Sequence, residues 1–190
     1  DALIVDLSPE RFLPVFAPKI TGTWNLHQAT LEENLDFFVF FSSIAAVHPQ
    51  PGMGSYAAAN AFLDGFAQYR RALGKPATSV NWGGWDQIGL ARAAGFGRSK
   101  EGYEQQGMRN FSAREALNAL ERALETNPVQ VIAVPFDWDK FAEFYGTGNV
   151  PPTYSNLISQ TKGAACQTNR SEILDQLVAA DSTQQRHETM

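Results

Sequence analysis

Cysteine, net positive charge and long apolar runs are all scarce in this sequence of 190 residues. A single cysteine, Cys166, excludes an internal disulfide framework and cysteine-rich metal sites, and we predict no metal. The formal net charge of −5 provides no general attraction to nucleic acid or to an anionic membrane. No apolar run approaches the ~20 residues that a membrane-spanning helix needs, and no secretory signal stands at the start. These absences favour a cytoplasmic protein that binds neither nucleic acid nor membrane.

A glycine-rich phosphate-binding turn is also missing. The dinucleotide-binding half of a doubly wound sheet would begin with a Gly-x-Gly-x-x-Gly turn after its first strand, and no such fingerprint occurs. Either the cofactor is not a dinucleotide or that half lies upstream of Asp1. Because the chain begins abruptly and ends inside a helical pattern, we expect a fragment of a longer protein.

Helical and strand patterns alternate along the chain, and its 44% hydrophobic content suits a packed core. The expected elements are a helix from Ser8 to about Ala29 weakened by Pro14 and Pro18, a strand at 37–41, a helix at 53–73, a strand at 78–82, a capped helix at 112–126, a strand at 129–134 and a helix at 137–145. This order predicts an α/β fold with parallel βαβ units, the second half of a Rossmann-like doubly wound sheet.

Two segments lack a clear pattern. Residues 85–110 contain scattered glycines and are interpreted as a loop-rich substrate lid. From Gly146 to about residue 170, small and polar residues predominate and indicate a linker. An amphipathic helix is expected from Ser171 onward.

Residues 37–60 are the most informative stretch for chemistry. The aromatic and β-branched run predicts a strand buried on both faces, and Ser42 and Ser43 follow it where open α/β sheets bind ligands. Tyr56 and Asn60 are four apart, so they share a face of the next helix. A strand-end hydroxyl and a phenol could therefore act on one carbonyl. The competing interpretation is that the serines satisfy loose backbone groups and that Tyr56 only packs.

Four segments carry a family resemblance: PKITGTWNLH at 18–27, FFSSIA at 40–45, GSYAAANAFLD at 54–64 and ATSVNWGGW at 77–85. In this order they resemble the catalytic half of a ketoreductase domain of modular polyketide synthases, in the short-chain dehydrogenase/reductase superfamily. Short-chain reductases generally place a lysine four residues after the catalytic tyrosine. Here that position is Asn60, and the lysine is Lys19 on the preceding helix, an exchange typical of the polyketide ketoreductases.

The resemblance implies roles for these residues in a reduction. Tyr56 would give its proton to the carbonyl oxygen as hydride arrives, and Ser43 would hydrogen-bond that oxygen, with Ser42 on the opposite face of the strand. A tyrosine with a pKa near ~10 is a poor acid-base group at neutral pH unless a cation favours its phenolate, and Lys19 would supply that cation. Asn60 would orient a proton-relay water.

The implied cofactor is NADPH, and the turn at 81–84 would bring backbone close to its nicotinamide. The residues expected to bind it are Lys19, Tyr56, Asn81, Trp82, Gly83 and Gly84. Each has a plain structural alternative, such as a solvated helix lysine or a core tryptophan. His27 and His48 are expected to be structural.

The resemblance also implies an organisation and partners. Residues 1–145 would be the catalytic half of the domain, 146–170 a linker and 171–190 the approach to a following acyl carrier domain. The substrate would be a β-ketoacyl thioester on the phosphopantetheine arm of that carrier, reduced to the β-hydroxyacyl thioester. The upstream half of the domain is the second expected partner, and without it we expect the fragment to bind NADPH weakly and to be inactive.

Stereochemistry is predicted from two positions. One class of the family carries Trp eight residues before the tyrosine, where this chain has His48. The other class carries a Leu-Asp-Asp motif, and Asp1 stands where its final Asp is expected. The resemblance therefore implies the second of these classes, B-type, which forms a D-configured β-hydroxyl.

Two alternatives stay open at this point. The chain could be a non-catalytic ketoreductase-like structural module of a megasynthase, although the intact set of Ser43, Tyr56, Lys19 and Asn60 argues against decay. It could also belong to a stand-alone short-chain dehydrogenase acting on a small alcohol. The displaced lysine and the carrier-like tail argue against that alternative.

Overall fold

The computed structural model describes residues 3, 6–86, 97–146 and 149–161. The helices and strands, in chain order, are α1 (Pro9–Phe16), a π-helical turn (Ala17–Thr21), α2 (Gly22–Ala29), β1 (Val39–Ser43), a 3₁₀ turn (Ile44–Ala46), α3 (Gly54–Ala72), β2 (Thr78–Trp82), α4 (Gly97–Gln105), α5 (Ala113–Thr126), β3 (Gln130–Ala133), α6 (Trp138–Tyr145) and α7 (Pro152–Thr161). None of the helices in the described ranges is long and apolar enough to cross a membrane.

The three strands form a parallel sheet in the order β1-β2-β3. The register places Ser42 beside Asn81 and Ser43 beside Trp82, so the carboxyl ends of β1 and β2 lie together. This sheet with its connecting helices confirms the predicted α/β class.

Helices α3 and α5 cover opposite faces of the sheet. Phe40 packs with Leu63 and Phe66 of α3, whereas Val80 packs with residues of α5. Neighbouring strand positions alternate between the two faces, and for this reason the two hydrophobic clusters are separate. Ser42 and Asn81 therefore face α3.

The first helix is continuous but irregular, as its prolines predict. The Ala17 N–H bonds the Leu13 carbonyl four residues back, whereas the Gly22 N–H bonds the Ala17 carbonyl five residues back. Pro18 has no N–H to donate, which weakens the regular ladder and favours the wider π turn. Lys19 lies inside that turn.

The first strand departs from its prediction in position and in burial. β1 begins at Val39, two residues later than expected, and Phe37 and Phe41 are 62% and 48% exposed. Burial on both faces is therefore a wrong prediction for this strand. The physical reason is that β1 is the edge strand of the described sheet, so Phe41 lies at the side of the sheet with the Trp82 ring as a neighbour.

Two segments expected to be irregular contain helices. α4 lies within the predicted lid, and α7 lies within the predicted linker, where Tyr154 is buried against Trp138 and Phe141 of α6. Residues 105–107, 137–146 and 149–161 belong to a compact unit of their own. The expected helix from Ser171 and Asp1, the expected end of the acidic motif, lie outside the described residues. The domain limits stay a prediction.

Candidate active site

Lys19 reaches the strand that carries the two serines. Its Nζ donates to the backbone oxygen of Phe41 at 2.7 Å, two residues before Ser43. Burial lowers the pKa of the Lys19 ammonium below its usual range. The π turn thus brings a half-buried cation to the carboxyl end of β1.

Ser43 ends β1 and begins the 3₁₀ turn. Its backbone is extended, and its Oγ accepts the Ala45 N–H at 3.2 Å. Because that bond uses a lone pair of the hydroxyl, the Ser43 O–H proton remains able to donate to another acceptor. The side chain is 9% exposed, so such an acceptor would meet it in a largely dehydrated setting.

Ser42 and Asn81 form a buried hydrogen-bonded pair on the α3 side of the sheet. The Asn81 Nδ2 donates to the Ser42 Oγ at 3.0 Å and to the Ser43 carbonyl at 3.2 Å. Its Oδ1 accepts from Gln130 Nε2 at 2.9 Å. The Asn81 amide is therefore directed into the interior, and only its backbone is left for the predicted contact with a cofactor.

Tyr56 lies in the first turn of α3, and Asn60 follows one turn later. The Asn60 Nδ2 donates to the Tyr56 carbonyl at 2.8 Å, which ties the amide to the tyrosine backbone. Asn60 is fully buried, and its Oδ1 has no hydrogen-bond partner among the described residues. An unpaired buried acceptor is costly, so a water or ligand donor at this oxygen would be stabilising.

The turn after β2 is closely packed against the protein itself. Trp82 is buried against Phe41, Trp85 and Phe111, and its Nε1 lacks a partner within the described ranges. A Cβ at Gly83 would meet the Val134 methyls at 3.1 and 3.3 Å, and one at Gly84 would collide with the Asn110 side chain. Close packing alone accounts for both glycines, and their predicted role in binding NADPH stays a prediction.

Asp64 was missed by the sequence reasoning. Its carboxylate is buried, and accepts from the Ser79 Oγ at 2.5 Å and from the Asn81 Nδ2 at 2.8 Å. The available signal was its spacing, since Tyr56, Asn60 and Asp64 follow one another at intervals of four along one helix face.

The two histidines lie in structural settings, as expected. His27 is buried beside Arg70, with its Nδ1 2.8 Å from the Arg70 Nη1. The His48 side chain is also buried, and its backbone oxygen accepts from the Tyr103 hydroxyl at 3.1 Å. Among the described residues, no group of three or more His, Cys, Asp or Glu could hold a metal ion.

Known proteins of similar sequence and structure identify the family. Residues 1–87 match the model of the KR domain. The chain is 36% identical over 162 residues to a phenolphthiocerol synthesis polyketide synthase type I of Mycobacterium marinum. The chain belongs to the ketoreductase (KR) domain family of polyketide synthases. A solved A1-type ketoreductase superposes with a TM-score of 0.76 at 33% identity, over 85% of this chain.

The match covers only part of these relatives. The chain spans 8% of the Mycobacterium marinum synthase and 33% of the solved A1-type ketoreductase chain. A relative in Mycobacterium tuberculosis, 37% identical over 83% of this chain, bears the name "Putative inactive phenolphthiocerol synthesis polyketide synthase type I Pks1". Ketoreductases of this superfamily bind a nicotinamide cofactor, and the Lys19 cation is a group of this chain that suits one as a hydrogen-bond donor.

Proposed function

We propose that this chain supplies the catalytic residues for an NADPH-dependent reduction of a carrier-bound β-ketoacyl thioester to the β-hydroxyacyl thioester. The observation that carries the proposal is the contact of Lys19 with the Phe41 carbonyl. A lysine on another helix could take part in catalysis only if its side chain reached the strand that carries Ser43. The Lys19 Nζ reaches that strand, because it lies 2.7 Å from the Phe41 backbone oxygen.

Each residue then has a task set by its contacts. Ser43 donates its hydroxyl proton to the substrate carbonyl oxygen, because its own oxygen is held by the Ala45 N–H. Tyr56 transfers its proton to that oxygen and becomes a phenolate. Lys19 stabilises the phenolate, since a nearby cation favours the charged form of a tyrosine.

NADPH, when bound, supplies the hydride to the carbonyl carbon, and with the proton from Tyr56 the ketone gains the two hydrogens of an alcohol. The phenolate of Tyr56 must then be reprotonated. Asn60 supports this step, because its unpaired Oδ1 can accept a hydrogen bond from a water that passes a proton to Tyr56. Lys19, Tyr56 and the backbone of the turn at 81–84 are the proposed cofactor contacts.

The proposed partners are a carrier domain with a phosphopantetheine-bound β-ketoacyl chain and the upstream half of the ketoreductase domain. The exposed Phe41 on edge strand β1 and Phe37 just before it support the second partner, because a further strand or helix would cover them. The cytoplasmic location stays a prediction from the sequence.

We propose a D-configured hydroxyl, the B-type outcome. The support is His48 in place of the tryptophan of the other class and Asp1 at the expected end of the acidic motif. The A1-type structure among the relatives is named for a different class, so the proposal rests on these two positions alone.

The test uses the intact synthase module that contains this chain. A β-ketoacyl pantetheine thioester is offered with NADPH, NADPH consumption is followed optically and the product is separated by chiral chromatography. We expect reduction to the D-configured alcohol. An L-configured product would contradict only the proposed B-type stereochemistry. NADPH binding without formation of any alcohol would contradict the proposed ketoreductase activity.

That second outcome is the signature of the competing function. A non-catalytic structural module is favoured by one observation, the relative in Mycobacterium tuberculosis whose name begins with "Putative inactive". The contacts of Lys19 and Ser43 support the catalytic alternative.

A further inference from the structure

Buried hydrogen bonds form a closed circuit between helix α3 and the carboxyl ends of β1 and β2. The circuit begins at the Asp64 carboxylate on α3, which accepts from the Asn81 Nδ2 of β2 at 2.8 Å. The same Nδ2 donates to the Ser42 Oγ of β1 at 3.0 Å. The Ser42 hydroxyl then donates to the Asn60 carbonyl at 3.1 Å, which returns the circuit to α3.

Two further side chains, from Ser79 and Gln130, donate hydrogen bonds to members of the circuit. The Ser79 Oγ donates to the second Asp64 oxygen at 2.5 Å, and Gln130 Nε2 donates to the Asn81 Oδ1 at 2.9 Å. Asp64, Asn81 and Ser42 are all buried, and every polar atom of the three side chains has a partner. Fully satisfied buried networks are rigid and specify one arrangement, because any displacement leaves a buried polar group unpaired.

The circuit attaches to the face of α3 that also carries Tyr56, the proposed proton donor. Tyr56, Asn60 and Asp64 are spaced by four residues, so they follow one another along one face about 6 Å apart. The circuit attaches to the helix at the second and third of these positions. It therefore sets the rotation and height of α3, and with them the place of the Tyr56 phenol.

On the strand, the same amide holds the other reacting hydroxyl. The Asn81 Nδ2 lies 3.2 Å from the backbone carbonyl of Ser43, so its two N–H groups are shared among this carbonyl, the Ser42 Oγ and the Asp64 carboxylate. One side chain thus fixes the end of β1 from which Ser43 projects.

We propose that Asp64, Asn81 and Ser42 are positioning residues for the reduction. Their side chains fix the phenol of Tyr56 relative to the hydroxyl of Ser43 without touching substrate or cofactor. This inference rests on the proposed function, since it concerns the geometry of that reaction. Its physical basis is that a misplacement of reacting groups by 1 Å can lower a rate by about 10²-fold.

The test compares variants that break the circuit with one that conserves it, in the intact module that contains this chain. Ser42→Ala removes the link between β1 and α3, and Asp64→Leu removes the acceptor for Asn81. Asp64→Asn conserves the circuit, because an amide oxygen can accept from Asn81 while its nitrogen donates to Ser79.

Thr78→Val is the matched control at the other end of the sheet. The Thr78 Oγ1 donates to the Pro128 carbonyl at 2.9 Å, so the variant also loses one buried hydrogen bond of β2. Hydrogen exchange of β2 and α3 measures the structural loosening in every variant.

The deciding readouts are kcat per bound NADPH and the primary deuterium isotope effect with deuterated NADPH. For Ser42→Ala and Asp64→Leu we expect kcat to fall roughly 10- to 100-fold, with a larger isotope effect and an unchanged KM for NADPH. Asp64→Asn and Thr78→Val should keep the kcat and the isotope effect of the parent. Should Asp64→Leu not fold, Ser42→Ala decides.

The inference is overturned if Ser42→Ala loosens the sheet as Thr78→Val does but keeps the parental kcat and isotope effect. In that case the circuit serves the fold alone. An unmutated module that binds NADPH and reduces nothing would instead overturn the proposed function, and this inference with it.

Discussion

The two ends of the parallel sheet use buried polar side chains for different purposes. At the amino end, Arg70 and Arg71 donate into the turn before β2, where their Nε atoms bond the carbonyls of Pro76 at 3.3 Å and Ala77 at 2.7 Å. At the carboxyl end, the polar side chains also bond the backbone, but a hydroxyl proton on Ser43 and an acceptor on Asn60 remain available.

Arg70 shows how strongly the amino end is committed to the fold. The guanidinium is fully buried, with its Cζ 4.0 Å from the centre of the Phe38 ring and its Nη1 at the His27 Nδ1, whereas its Nη2 has no partner among the described residues. Burial lowers the pKa of Arg70, and burial followed by the nearby charges of Arg70 and Lys75 lowers the pKa of His27. A neutral His27 is thereby favoured, and its ring nitrogen can accept from the arginine. Substitutions at this end should cost stability, and substitutions at the other end should cost activity.

The largest effect is expected at the carboxyl end, for Tyr56→Phe. Only a hydroxyl is removed, so the module should fold as before, while the loss of the proton donor should lower kcat by about 10²–10⁴-fold. The measurement is alcohol formation from a β-ketoacyl pantetheine thioester by the intact module. Alcohol formation at the parental rate would remove Tyr56 from the mechanism.

Lys19→Met is expected to lower kcat on the order of 10²-fold, because a charged donor that stabilises the transition state is lost. The same substitution also changes how the free energy of unfolding depends on pH. Since burial places the folded-state pKa of Lys19 below 10.5, the unfolded chain binds its proton more tightly. The parent should gain stability as the pH rises toward 10.5, and the variant should gain less. Urea midpoints of the 190-residue chain at pH 7–10.5 test this sign.

Arg70→Met tests the amino end. Without the guanidinium, the Pro76 carbonyl and the His27 nitrogen lose their donor, and the free energy of unfolding should fall by roughly 2 kcal/mol. The kcat of the folded module should be unchanged. Arg122→Ala, which removes an exposed arginine from α5, is the control and should change stability by less than about 0.5 kcal/mol. If Arg70→Met lowered kcat as much as Lys19→Met does, the amino end of the sheet would serve activity as well as stability.

The smallest effect is expected in the exposed cluster at the start of α5. Two bonds from Arg109, at 2.6 and 3.1 Å, and the capping box with Ser112 lower the pKa of Glu115 from 4.5 to about 2. A carboxylate with a lowered folded-state pKa stabilises the fold above 4.5, and this contribution is lost as the pH falls toward 2. Glu115→Gln should therefore flatten the acid dependence of the urea midpoint slightly. If the urea midpoint of the variant depends on pH as steeply as that of the parent, other groups cause the acid sensitivity.

Local signals in the sequence were sufficient for several elements. The strand at 78–82 and the capped helix starting after Ser112 are found at the predicted residues, because alternation and capping depend on neighbours in sequence. Helix α4 was missed since its glycines resemble a loop, and α7 because its composition resembles a linker. Both are short helices of low intrinsic propensity.

The site was predictable only in part, for a related reason. The motif places Lys19, Ser43, Tyr56 and Asn60, but it does not show that Lys19 contacts Phe41, 22 residues away. Contacts such as Asn81 with Ser42, 39 residues apart, arise from the strand register and the rotation of α3. No local pattern encodes them. The fold has to be assembled before the partner of Asp64 can be known.

The wide turn at 17–21 has a consequence for how this gene can change in length. A π turn accommodates one residue more than the α-helical ladder would. Loss of a single codon here would restore a regular helix without rotating the part before it relative to Trp24 and His27, which pack against Phe66 of α3. The same loss within a regular helix such as α3 would rotate the residues beyond it by about 100°. The turn is consequently the place in this helix where a change in length by one residue is easiest to tolerate.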